Sequence, residues 1–279
     1  MATTLKRWTQ LGLGAALASG TLAACGNPEQ PTEQPEAEVA DTAETVAPVE
    51  TPEPAATQAG EGEGGVVFAQ ATSDPVIFLS ILAITEAHII AARDAHALGE
   101  NEAAAEMFAH PVSEVLFESQ SVFEQLGVED FSDLLTDTSA AIFAGETPEQ
   151  INARADEIIA ALRSAAEKAP ASDASDASIA AGVTVDQIER AADMYRIALE
   201  SDAYEPYLDG YGFFKAGEAV YLESADAIAA EDQAAAEAIQ GAIAKLEEAY
   251  PSAVRPEALN ADLAAVTVAA SNAIIAVQN

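Results

Sequence analysis

The stretch PVIFLSILAITEAHIIAA, residues 75–92, decides the fold. Read at 3.6 residues per turn, its apolar side chains fall on every side, which predicts a central helix wrapped by other helices rather than one with a wet face. Ser73 or Asp74 is placed to cap it, and Pro75 sits in the first turn, where its missing N–H costs nothing. Two polar residues interrupt the apolar surface. His88 lies at helical spacing from Ile77, Ile81 and Ile84, so its imidazole points into the bundle, and Glu86 sits on another apolar side. Residues two apart face nearly opposite directions, so Glu86 and His88 cannot readily share one ion.

Working outward, a second helical region starts after Asn101 and is expected to break at His110-Pro111, because proline removes a donor and disfavours helical angles in the residue before it. Beyond that break, Val112, Val115, Leu116, Val122, Phe123 and Leu126 define one core face. Helices are expected near 130–144 and 148–168, the latter opening on Thr147-Pro148-Glu149-Gln150, a capping-box spacing with a first-turn proline. Pro170 to Gly182 is small, polar and low in complexity and reads as a loop. A second capping-box spacing, Thr184 to Gln187, predicts a helix to about Leu199. Further helices are expected from Glu205 or Pro206, near 231–249, and near 257–277. Alanine is abundant and β-branched clusters are few. The expected fold is therefore all-α, an antiparallel bundle of about seven or eight helices. Its two halves are 66–169 and 184–279, joined by a linker over 170–183.

The amino-terminal region has a different character. Lys6 and Arg7 precede the weakly polar to apolar run Leu11 to Leu22, and small residues follow, which is the order of a secretory signal rather than of a spanning helix. Leu22-Ala23-Ala24-Cys25 resembles the lipobox of bacterial lipoproteins, and the resemblance implies removal of residues 1–24 and lipidation of Cys25, the only cysteine in the chain. Gly26 and Asn27 follow, with no aspartate beside the anchor; by resemblance to lipoprotein sorting in two-membrane bacteria this favours the outer membrane, facing the periplasm. Residues 26–65 hold six prolines, ten Asp or Glu, no Lys or Arg and no aromatic side chain. Such a composition cannot offset the entropy of ordering, and with Cys25 it reads as a disordered tether over 25–65, able to reach on the order of 100 Å.

Charge narrows the partners. Loss of residues 1–24 leaves 9 basic residues against 47 acidic ones, a formal charge of −38. That balance repels nucleic acid and anionic headgroups. It leaves the membrane reached through the lipid on Cys25, cations, an envelope protein, or plain solubility in salt. Enzyme signatures are missing: no Gly-x-Ser-x-Gly elbow, no phosphate loop, no His-Glu-x-x-His and no usable thiol. The expected protein is not an enzyme.

Two constellations could hold a ligand. Glu106, His110, Glu114 and Glu118 are spaced by four and would form a ridge of carboxylates around an imidazole on a continuous helix, a donor set suited to divalent cations; a solvated face explains the same spacing. Tyr204, Tyr207, Tyr211, Phe213, Phe214 and Tyr221 form the densest aromatic stretch, with Asp209, Lys215 and Glu218 interleaved, and could be core or line a small pocket. Gly210, Gly212 and Gly217 would permit close helix approach there.

Three short steps resemble an uncharacterised family of bacterial secreted all-helical proteins: Ala87-His88-Ile89, His110-Pro111-Val112-Ser113-Glu114, and Pro206-Tyr207-Leu208-Asp209-Gly210-Tyr211-Gly212-Phe213. In the third, Pro206 stands where the family has an acid and Leu208 where it has an amide. The steps are also similar to periplasmic helical modules found with bacterial iron-uptake systems, and this resemblance is what implies iron. The expectation is a lipid-anchored helical domain in which His88, His110, Glu114, Tyr207 and Asp209 converge on a ligand or a divalent metal between helices. The competing expectation is a structural or protein-interaction lipoprotein whose polar residues satisfy one another.

Overall fold

Asp74 caps the decisive helix, its carboxylate accepting from the Val76 and Ile77 N–H groups at 2.8 and 3.3 Å. The helix, α1 (Pro75–Ala97), belongs to a computed structural model that describes residues 68–279. The secretory signal, Cys25 and the tether lie outside the described residues. By length and composition α1 could cross a membrane, but most of its surface is buried against its neighbours, which marks it as a core helix. It packs against four others, α2 (Asn101–Pro111), α5 (Pro148–Ala166), α6 (Asp176–Glu200) and α7 (Glu205–Glu231). Residues from both expected halves thus share one core. α3 (Phe117–Leu126), α4 (Ser132–Phe143), α8 (Gln233–Ala249) and α9 (Leu263–Gln278) complete the bundle, and no strand occurs among the described residues.

Two expectations are corrected. The helix does not break at His110-Pro111. Pro111 lies inside α2 at helical angles, and the ladder it disrupts is taken up by a π turn over Val112–Leu116 that runs straight into α3. Stretch 101–126 is one continuous rod, so the described residues form eight rods. The loop over 170–183 is also shorter than expected: residues 176–182 are helical, because Ser175 caps α6 through the Ser178 N–H at 3.0 Å. Thr184, read as a cap, is instead within α6, and its hydroxyl donates back to the Ala180 carbonyl at 2.8 Å. The alanines that made this segment look featureless are good helix formers, and Ala177 and Ala181 are buried. The capping box at Thr147 forms as expected, with both reciprocal bonds present.

The glycines of α7 set how close its neighbours come. A Cβ built on Gly212 would lie 2.4 Å from the Ala87 carbonyl oxygen of α1. One built on Gly210 would overlap the Tyr250 hydroxyl, and one on Gly217 would stand 3.0 Å from Gln187 Cβ of α6. Glu86, on another side of α1, is held by a two-point ion pair with Arg163 of α5 at 2.6 and 2.7 Å.

Three tyrosines fasten the segment between α8 and α9. Tyr204 and Tyr207 donate to the Ala253 and Ser252 carbonyls, both at 2.7 Å, and Tyr195 accepts from the Ala261 N–H at 2.9 Å. Tyr250 at the start of this segment donates to the Ala191 carbonyl and packs on Tyr195, Tyr207 and Phe214. Burial raises the phenol of Tyr250 well above its ordinary value and pushes Tyr207 up to about 12.

Gly212→Ala is expected to destabilise the protein by about 1–3 kcal/mol, since the obstructing atom is backbone, whereas Gly241→Ala, in open space within α8, should stabilise it by up to about 1 kcal/mol; urea midpoints of the two variants measure both. Stability should also fall as pH rises above 10, because through the window to about 12 the folded state keeps phenol protons that the unfolded chain releases. Melting temperatures followed by circular dichroism from pH 8 to 11 check this.

Candidate functional site

The close approach at Gly212 brings a carboxylate of α7 opposite an imidazole of α1. His88 is 1% exposed, and its Nδ1 lies 2.8 Å from the Ile84 carbonyl one turn back. A carbonyl only accepts, so Nδ1 carries the proton, and in the neutral form of the ring Nε2 presents its lone pair as an acceptor or to a cation. That Nε2 stands 3.8 Å from Oδ1 of Asp209, which is 7% exposed. The edge of Phe213 closes one side of the His88 ring at 5.9 Å between centroids.

The third member arrives at the end of α2. His110, 20% exposed, has its ring centroid 6.1 Å from that of His88, and its Nε2 lies 4.0 Å from Oε1 of Glu205 at the start of α7. One ligand atom from each of His88, His110 and Asp209 lies within 4.8 Å of the others, the one such group of three or more among the described residues. Ligand atoms around an ion bound at 2.0–2.2 Å stand roughly 3 to 3.5 Å apart, so side-chain adjustment of about an ångström would bring the three into coordinating range. The backbone-carbonyl bond at His88 Nδ1 is the support that fixes the ring of a metal-ligating histidine.

The remaining expected site residues divide. Glu114 sits on the π turn, partly covered, with its Oε2 buried. A π turn closes one residue later than an α turn, which changes the side that Glu114 presents relative to His110. Glu106 and Glu118, the rest of the expected ridge, are exposed. Tyr207 does not join: its hydroxyl is committed to the Ser252 carbonyl and its ring to Tyr250, 5.2 Å away between centroids. The reason was available in the spacing, since Tyr207 and Asp209 are two apart on one helix and face nearly opposite ways. Glu205 was not among the expected residues, although it precedes Asp209 by four and so shares its face of α7.

Other clefts offer less. The cleft of about 500 Å³ between α1, α5 and α6 is mostly apolar, and its Glu86 and Arg163 are paired with each other.

Residues 203–279 match the family model of the iron permease-associated 4-helix bundle domain. No curated protein sequence and no solved structure matches the chain. The matched segment holds α7, α8 and α9, and α6, which lies just before it, packs against all three. Glu205 and Asp209 fall inside the match and His88 and His110 outside it. The match links the carboxyl-terminal part of the chain to helical modules of iron uptake, and is consistent with a place at the cell envelope.

Tyr207→Phe is expected to cost about 1 kcal/mol through loss of the bond to Ser252, and to leave any metal affinity within about twofold of wild type. Denaturant titration and metal titration of the same variant report the two separately.

Proposed function

We propose that this protein is a lipid-anchored, extracytoplasmic helical domain of an iron-uptake system that binds ferrous iron between α1, α2 and α7. His88, His110 and Asp209 are the ligands. It acts by binding and not by catalysis, held through Cys25 to the outer membrane on its periplasmic side. The observation that carries this reading is the convergence of three potential ligand atoms from three helices within 4.8 Å. Two imidazoles and one carboxylate with open positions form the donor set associated with non-haem ferrous iron. The iron-permease-associated match over 203–279 supports the same metal. The formal charge of −38 that remains after removal of residues 1–24 raises the local concentration of cations around the protein.

One observation favours the alternative, a structural or protein-interaction lipoprotein. Val268 and Ile275, seven apart on α9, are both exposed and present a narrow apolar stripe.

The purified full chain should take up about one ferrous ion per molecule, measured by elemental analysis and anaerobic titration. The His88→Ala, His110→Ala double variant should lose about 100-fold or more in affinity. Asp209→Asn should weaken binding while keeping the fold. Absence of bound iron, zinc or manganese together with no thermal shift on adding any of them would rule the site out and leave the interaction reading.

A further inference from the structure

The four polar groups at this site form a gradient of exposure. Glu205 is 51% exposed, His110 20%, Asp209 7% and His88 1%. Their order in space follows the same sequence at the outer end, where Glu205 Oε1 is 4.0 Å from His110 Nε2. Glu205 and Asp209 are one turn apart on α7, so the outermost and an innermost carboxylate share one helical face, with the two imidazoles crossing in front of it from α1 and α2.

We infer that Glu205 is the capture residue of the site: it takes a hydrated divalent cation from solvent and passes it across His110 to His88 and Asp209. The inference rests on the metal-binding reading above and adds a route to it. At the first step one carboxylate oxygen of Glu205 replaces a water on the cation, which returns to solvent, and no electron is transferred. His110 Nε2 is close enough to replace a second water while Glu205 still holds on. Transfer inward then exchanges Glu205 for the buried donors, and the carboxylate is released to the surface. A buried site reached without such an intermediate would require the cation to shed several waters at once, the step that limits hard divalent ions. Glu205 also lies in the first turn of α7, where a negative charge favours the helix end, so a purely structural role predicts a change in stability and none in binding kinetics.

A residue that lowers the barrier between solvent and site does so in both directions, which gives the test. Stopped-flow mixing of the full chain with ferrous iron under anaerobic conditions, and with zinc, yields association and dissociation rates for wild type, Glu205→Gln, Glu205→Asp and Glu129→Gln. The last removes the same charge from the loop before α4. Glu205→Gln is expected to slow association about tenfold and dissociation in step with it, leaving Kd within about threefold. Glu205→Asp should restore much of the rate, and Glu129→Gln should leave both rates close to wild type. If Glu205→Gln weakens Kd with dissociation unchanged or faster, Glu205 is an ordinary ligand or a steering charge and the inference fails. If neither rate changes, its role is confined to the helix end and the inference also fails. A wild-type chain that binds neither metal overturns the metal-binding reading itself, and with it this route.

Discussion

The contact on which the rest depends is backbone against backbone, where Gly212 of α7 meets the Ala87 carbonyl of α1. Two helices approach this closely only where one lacks a Cβ, and the distance between them fixes everything mounted on their facing surfaces. His88 follows Ala87 directly, and Asp209 lies just under one turn before Gly212, so the close approach sets imidazole opposite carboxylate. Phe213 and Phe214, which follow Gly212 directly, are buried and hold the spacing. Each contributes on the order of 1.5–3 kcal/mol by leaving water, which offsets the loss of helix propensity at the glycines.

Several polar groups of the core are held across helices. Glu86 is matched by Arg163 from α5, Tyr211 donates to Asp94 at 2.7 Å, the Tyr195, Tyr204 and Tyr207 hydroxyls reach main-chain atoms of the segment between α8 and α9, and Tyr250 at its start donates to the Ala191 carbonyl of α6. That segment has no regular structure of its own, and tyrosines of α6 and α7 do the work that a strand partner or a disulfide does elsewhere. The Arg255 guanidinium adds two bonds to the Ala198 and Ser201 carbonyls at 2.9 Å, closing the end of α6 against the same segment. The α7 surface is therefore divided, with an aromatic side that builds the fold and an acidic side, Glu205 and Asp209, that faces the histidines.

Much of this was legible in the residues. The apolar circumference of 75–92 located the central helix, the Thr147 capping box located the start of α5, and the glycines of 210–217 foretold the close contacts of α7. His88 was readable as a polar residue at helical spacing from core positions, His110 from a ridge of acids spaced by four, and Asp209 from the aromatic stretch and the short steps that resemble iron-uptake modules. What escaped the sequence was local geometry that depends on tertiary support. The alanine-rich run after Pro170 looked like a linker because its composition lacks large side chains, yet Ser175 and buried alanines make it the first turns of α6. Pro111 looked like a break because proline forbids one hydrogen bond, yet the π turn that follows it carries the rod on into α3. Tyr207 was grouped with Asp209 because both stand in one short resembling step, when a period of 3.6 separates them, and Glu205 was read only as a helix start.

The π turn at Val112–Leu116 has a further meaning for how such a protein changes over generations. A π turn is an α-helix carrying one surplus residue, so a single-residue deletion there turns it back into regular helix without cutting the rod from 101 to 126. Because the π turn absorbs the surplus residue locally, the core face beyond it, Val122 and Phe123 included, keeps its register when that residue is lost. Descendants of this chain can therefore change the side chains that the turn presents, Glu114 among them, by an indel of one codon that requires no new helix and no rebuilt core.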